Sequence, residues 1–221
     1  MNADKFEDAY LIYDFEFNNV LDFINHCYGL MLKEYEGQSI ENNENKIRNR
    51  LYKDFLSSNT VRSEIDLFPC RFECECAEIN DEYEEIGYSD IKVLTSTSLI
   101  NNEAYYIIEC KRLDGSTSLN REYVKEGIYR FIDNKKYPSY RNLSGMIGFI
   151  VKKVNVTDTV AAINIVLSKE KRINTFEMLK TLDNNLYSSS HEKFDKSTLT
   201  IRHLMFDFSD NIKNLTIKTN E

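Results

Sequence analysis

The stretch Ala104-Tyr105-Tyr106-Ile107-Ile108-Glu109-Cys110-Lys111-Arg112-Leu113 constrains the fold of this chain more than any other. It is rich in β-branched and aromatic residues and reads as a strand. Tyr105 to Ile108 are apolar on both alternating faces, as in a strand at the centre of a sheet covered from both sides. Ile107, Glu109 and Lys111 point one way, while Ile108 and Cys110 point the other. Charges at the end of a buried strand are costly unless they are paired or metal-bound. An earlier run, Gly87-Tyr88-Ser89-Asp90-Ile91-Lys92-Val93, reads as a second strand. The polar residues Asn101 to Glu103 read as the tip of a hairpin or short loop that lays the Asp90 strand beside the Glu109 strand. Asp90, Glu109 and Lys111 are therefore expected to converge.

Two carboxylates on adjacent strands suit a hard divalent cation such as magnesium, which keeps waters and binds substrate phosphates. A lysine beside them can orient a water or stabilise charge developing on phosphorus, so the trio suits phosphodiester cleavage. Alternating charges on a strand are otherwise an ordinary solvated face whose cross-strand pairs contribute about 0.2 to 1 kcal/mol each. The apolar flank of Glu109 argues for the buried, functional reading.

Asp90 followed by Glu109-Cys110-Lys111 resembles the PD-(D/E)xK signature of the restriction-endonuclease-like nucleases, although Ser89 stands where that signature has proline. The order of segments from about Ile40 to Val151 is similar to the core of that superfamily: helix, three-stranded meander, helix, strand. The resemblance implies an α/β fold, a restriction-endonuclease-like central mixed β-sheet flanked by helices. In this chain it would comprise a core at 37–152, an extra N-terminal helical element at 1–36 and C-terminal helix and strand additions at 153–221, all in one domain. It implies magnesium, or manganese in its place, held by Asp90, Glu109 and the backbone carbonyl of Cys110. Glu44 would be an auxiliary acid at the metal, supplied by the helix before the meander, and Lys111 the water-orienting or charge-stabilising group. The implied activity is a metal-dependent endonuclease acting on DNA, in restriction or antiphage defence. The alternatives are a non-catalytic binding or assembly subunit that keeps the nuclease fold, and an RNA-directed nuclease. Association with a second copy or with a partner subunit belongs to the same implication.

Composition bounds these readings. With 221 residues, 42% of them hydrophobic, the chain suffices for one substantial core. No run approaches the roughly 18 apolar residues that span a bilayer, and the N-terminal MNADKFEDAY is acidic rather than a basic signal. A cytoplasmic protein that does not engage a membrane is expected. The formal net charge of -8 argues against strong autonomous binding to nucleic acid, whose affinity rests on phosphate neutralisation. A local basic cleft or a partner subunit is then needed. Five cysteines make an odd count with no secreted disulfide pattern, so reduced thiols are expected.

Along the rest of the chain, Asp14 to Tyr35 reads as a long amphipathic helix. A second helix is expected from about Ser39 to Leu56, with Ile40, Glu44, Ile47, Leu51 and Phe55 on one face. Asn59 to Pro69 reads as a loop, and Asp81 to Glu85 as an acidic turn. Phe72 to Ile79 alternates as a strand, with Phe72, Cys74 and Cys76 sharing a face. Leu119 to Asn134 reads as a helix whose Arg121, Lys125 and Arg130 are candidates for phosphate contacts, and Gly127 would permit close packing. Tyr137-Pro138-Ser139 ends it. Gly145 to Val151 is a buried-strand pattern, parallel to the Glu109 strand through a right-handed crossover. Val156 to Lys171 reads as a helix capped by Thr157 or Asp158, a mixed segment follows, and Leu199 to Phe208 reads as a final strand. His191, in an expected polar loop with Tyr187 to Ser190, is a candidate substrate contact, and His203 a candidate supporting group.

Overall fold

A computed structural model describes residues 3–65, 69–79, 82–133, 137 and 139–213, with side chains from residue 14 onward. Asp81, Asn134 and Pro138, placed in turns or a helix end by the sequence pattern, lie outside the described residues. The elements run α1 (Ala3–Glu34), β1 (Ile40–Glu41), α2 (Glu44–Arg50), α3 (Asn59–Ser63), β2 (Cys70–Ile79), β3 (Glu85–Thr95), β4 (Tyr105–Leu113), α4 (Thr117–Tyr123), α5 (Tyr129–Ile132), β5 (Leu143–Ile150), α6 (Val156–Lys169), β6 (Thr175–Asp183), β7 (Leu186–Glu192), β8 (Thr198–Asp207) and β9 (Ile212–Lys213). π-helical turns extend α2 through Leu51–Leu56 and join α4 to α5 through Val124–Ile128.

The chain is α/β, with a seven-stranded mixed sheet in the order β2-β3-β4-β5-β8-β7-β6. β2, β3 and β4 form an antiparallel meander. β4 then crosses through α4 and α5 to β5, which lies parallel to it, and β8 continues parallel to β5. Helices cover both faces because β4 alternates apolar residues to both. Ile108 and Cys110 pack with Phe17, Ile24, Ile47 and Leu51 of α1 and the α2 segment. Ile107 packs with Tyr123, Ile128, Ile163 and Leu167 from α4 to α6. Each such fully buried aliphatic or aromatic side chain contributes about 1.5–3 kcal/mol relative to exposure. Among the described residues, no helix is long and apolar enough to cross a membrane.

Several expectations are corrected. The second helix begins at Glu44 rather than Ser39: Asn43 is extended and its Oδ1 accepts the Lys46 N–H at 3.1 Å, a cap that starts the helix there. Ile40 belongs instead to β1, parallel to β9. Part of the loop expected after Asn59 is the short helix α3, capped by Ser58. Cys76 does not share a face with Phe72 and Cys74. Glu75 has a φ of 54°, which reverses the alternation, so that Cys76 Sγ meets Glu73 Oε2 and Glu78 turns inward. There Glu78 accepts Ser89 Oγ at 2.8 Å and Tyr105 OH at 2.9 Å and pairs with Lys92 at 2.9 Å. α6 is capped by Asn155, two residues before Thr157 and three before Asp158, the expected caps. The mixed segment after it contains β6, and Tyr187 to His191 lies in β7 rather than in a loop. Serine has little intrinsic strand preference, so this run is a strand because β6 and β8 pair with both its edges.

Candidate active site

The site forms where β3 leaves β4. Their ladder runs from Leu94 opposite Tyr105 to Ile91 opposite Ile108 and stops, while the far edge of β4 remains paired with β5 as far as Leu113. Beyond Ile108, backbone groups on the near edge of β4 have no strand partner. Two carboxylates take their place. Asp90 Oδ2 accepts the Cys110 N–H at 2.7 Å, and Glu44 Oε2 accepts the Arg112 N–H at 2.8 Å. A buried N–H left unpaired would cost about 1–3 kcal/mol, which is a local reason for acids at both positions.

Glu44 is the first residue of α2 and comes to this edge because the Asn43 cap aims the helix start at β4. One turn on, the buried Arg48 bonds Asp90 Oδ1 through Nη1 and reaches Glu75 Oε1 at 2.6 Å through Nη2. Lys111 passes its stem beside Gly127, where a Cβ would lie 3.6 Å from Lys111 Cγ. Its ammonium donates to Glu109 Oε1 at 2.6 Å and to the Cys110 carbonyl at 2.9 Å, and lies 3.4 Å from Glu44 Oε1. Glu109 is fully buried and is gripped from behind: Arg130 Nη1 lies 2.9 Å from Oε1, and Tyr137 OH 3.0 Å from Oε2. The Tyr137 hydroxyl also lies 2.5 Å from the Tyr88 carbonyl.

Burial, and next the Asp90 charge, push the Glu109 carboxyl up to about 7 against the pull of Lys111 and Arg130. For Lys111, burial opposes the charge, but Glu109, Glu44 and Asp90 outweigh it and raise its pKa. The same competition raises Arg48, where burial opposes the charge but Asp90, Cys74 and Glu75 together outweigh it. Burial and Glu109 keep the Tyr137 phenol neutral.

The sequence pattern's Asp90, Glu109, Lys111 and Glu44 are thus brought together, with the Cys110 carbonyl among them, and Arg130 joins by binding Glu109. Arg121 and Lys125 do not: they line a groove between α4 and α6. His191 and His203 are fully buried. Ser189 Oγ lies 2.8 Å from the Nε2 of each, Thr175 Oγ1 lies 3.1 Å from His191 Nδ1, and Tyr123 OH lies 2.9 Å from His203 Nδ1. With no exposed surface, His191 cannot meet a substrate phosphate in this structure. Sequence reasoning missed Arg48, Glu75 and Tyr137. The spacing of Glu44 and Arg48, four residues apart on one helix face, was the available signal for the first of these.

The donor set fits a hard divalent cation. Asp90, Glu109 and the Cys110 carbonyl offer oxygens, and among the described residues four carboxylates, counting Glu44 and Glu75, face the three cations Arg48, Lys111 and Arg130. Among the described residues no group of three or more His, Cys, Asp or Glu side chains is arranged to hold a metal ion. No family model, curated protein or solved structure matches the chain.

Proposed function

We propose that the chain is a metal-dependent phosphodiesterase of the restriction-endonuclease-like kind, acting on DNA. The observation that carries this reading is the convergence of Asp90, Glu109, Lys111 and Glu44 on the strand edge vacated by β3, a cluster of hard oxygen donors with a positioned ammonium. The order of helix, three-stranded meander, crossover helices and parallel strand supports the fold assignment. A restriction or antiphage role rests on the resemblance of the D…ExK pattern.

Asp90, Glu109 and the Cys110 carbonyl would hold magnesium or manganese, which when bound lowers the pKa of a water and neutralises a phosphate. The chain's own groups do the positioning. Arg48 and the Cys110 N–H hold both oxygens of Asp90 in place, and Arg130 with Tyr137 does the same for Glu109. Lys111 stays protonated beside Glu109 and Glu44, and its ammonium is the donor available to a water or to a non-bridging phosphate oxygen. Glu44 limits where that ammonium swings.

Incubation of plasmid, linear and single-stranded DNA and of RNA with magnesium, manganese or EDTA tests this reading. Wild type is expected to cleave DNA only with metal, and Asp90→Ala and Lys111→Ala to lose about 100-fold or more. A non-catalytic assembly subunit is the second reading, favoured by the net charge of -8 and by the closed ion pairs that already satisfy the cluster. Wild type that cleaves no substrate selects it, and cleavage of RNA alone would reassign the substrate.

A further inference from the structure

Between α4 and α6 lies a groove of about 480 Å³ that shares no residue with the carboxylate cluster. Arg121, Lys125 and Lys169 bring three cations to it. Among the described residues Arg121 and Lys169 have no ion-pair partner, and Lys125 has only Glu170, at 3.6 Å. Glu170, the one carboxylate in the lining, is already held by Arg172, with Nε at 2.9 Å and Nη2 at 3.3 Å. Those hydrogen bonds keep it down to about 2, so it stays charged and committed to Arg172. Cations gathered in one concavity without matching acids favour an anion, and a guanidinium beside two ammoniums suits the several oxygens of a phosphate.

One further feature narrows the anion. On α6, beside Lys169 and across from Arg121 and Lys125, Ile165, 56% exposed, and Val166 form an apolar wall. Such a wall gains by covering a ribose or base face. The volume lies within the range of small-molecule sites, about 300–1,000 Å³.

We propose that the α4–α6 groove binds a nucleotide phosphate, with the phosphoryl group on Arg121, Lys125 and Lys169 and the sugar or base against Ile165 and Val166. The phosphate comes either from a free nucleotide or from a nucleic-acid strand, and both offer the same group. The inference is independent of phosphodiester cleavage, since none of these residues touches the cluster.

The test is titration of the full-length protein in EDTA with ATP, AMP and a single-stranded oligodeoxynucleotide, beside the variant Arg121→Gln/Lys169→Gln. EDTA separates binding here from any metal-dependent step at the cluster. The expected result is binding by wild type that weakens at least about tenfold in the variant, with thermal melting unchanged. Loss confined to ATP and AMP assigns a free nucleotide, and loss confined to the oligonucleotide assigns a strand. Single Lys169→Gln, at an exposed position, carries the same comparison if the double variant melts early. Wild type that binds none of the probes at about millimolar concentration, or variants that bind as tightly as wild type, would overturn the proposal.

Discussion

Glu109→Gln isolates the cost of ionising a carboxyl inside the sheet. The folded protein raises this group from 4.5 to about 7, so it holds the proton more tightly than the unfolded chain does. The stabilisation from that held proton is fully present below about 4.5 and is lost as the pH rises through about 7. At about 1.36 kcal/mol per pKa unit the shift amounts to roughly 3 kcal/mol, and about 2–3 kcal/mol of it falls between pH 5 and 8. Glutamine has the shape of the protonated acid and nothing to titrate. Its Oε1 can still accept from Lys111 and Arg130, and its amide can donate to the Tyr137 oxygen while Tyr137 donates to the Tyr88 carbonyl.

Urea unfolding in EDTA from pH 5 to 8 should therefore show wild type losing about 2–3 kcal/mol relative to the variant. Groups common to both proteins, the histidines included, cancel in that difference. Magnesium should reverse the order at pH 8, stabilising wild type by about 2.7 kcal/mol at one hundred times its Kd while leaving Glu109→Gln nearly unmoved. Parallel pH profiles for the two proteins would refute the raised Glu109 carboxyl. Equal stabilisation by magnesium would remove Glu109 from the ligands.

Arg48→Ala leaves Asp90 with the Cys110 N–H as its remaining anchor and exposes a nearly buried charge, and a loss of about 3–5 kcal/mol is expected by denaturant unfolding at pH 7. Ser189→Ala removes the hydroxyl shared by two buried histidines and should cost about 1–3 kcal/mol. Burial lowers His191 to about 4 and His203 well below its ordinary value. Wild type should therefore lose stability as pH falls from about 6.5 toward 4, and replacing either histidine should flatten that limb. Gly127→Ala would put a Cβ 2.3 Å from Met146 Cε. Displacing that methionine beside the Lys111 stem should cost about 1–3 kcal/mol, read as a lower Tm.

The histidines and the basic helix show where a sequence pattern misleads. Tyr187 to His191 carries the composition of a loop, and only pairing with β6 and β8 makes it a buried strand. Arg121, Lys125 and Arg130 share one helical stretch in the sequence, yet the structure turns Arg130 to Glu109 and the other two to α6. Glu44 fell on the expected stripe for the wrong local reason, since the helix starts there rather than passing through.

Strand alternation is a local property of the backbone, so the sequence by itself determined that Glu109 and Lys111 share a face opposite Cys110, and that a hairpin brings Asp90 alongside. Apolar flanks on both faces determined that this strand would be covered on both sides. The partners of those charges were decided by the tertiary structure alone. Arg48 meets Asp90 across 42 residues of chain and Arg130 meets Glu109 across 21. The first exists because β3 diverges from β4 and leaves an edge to be filled, and the second because the β4–β5 crossover lays α5 on the face that carries Glu109. Where two strands part depends on the packing of whole layers, and no short-range pattern of residue types encodes it.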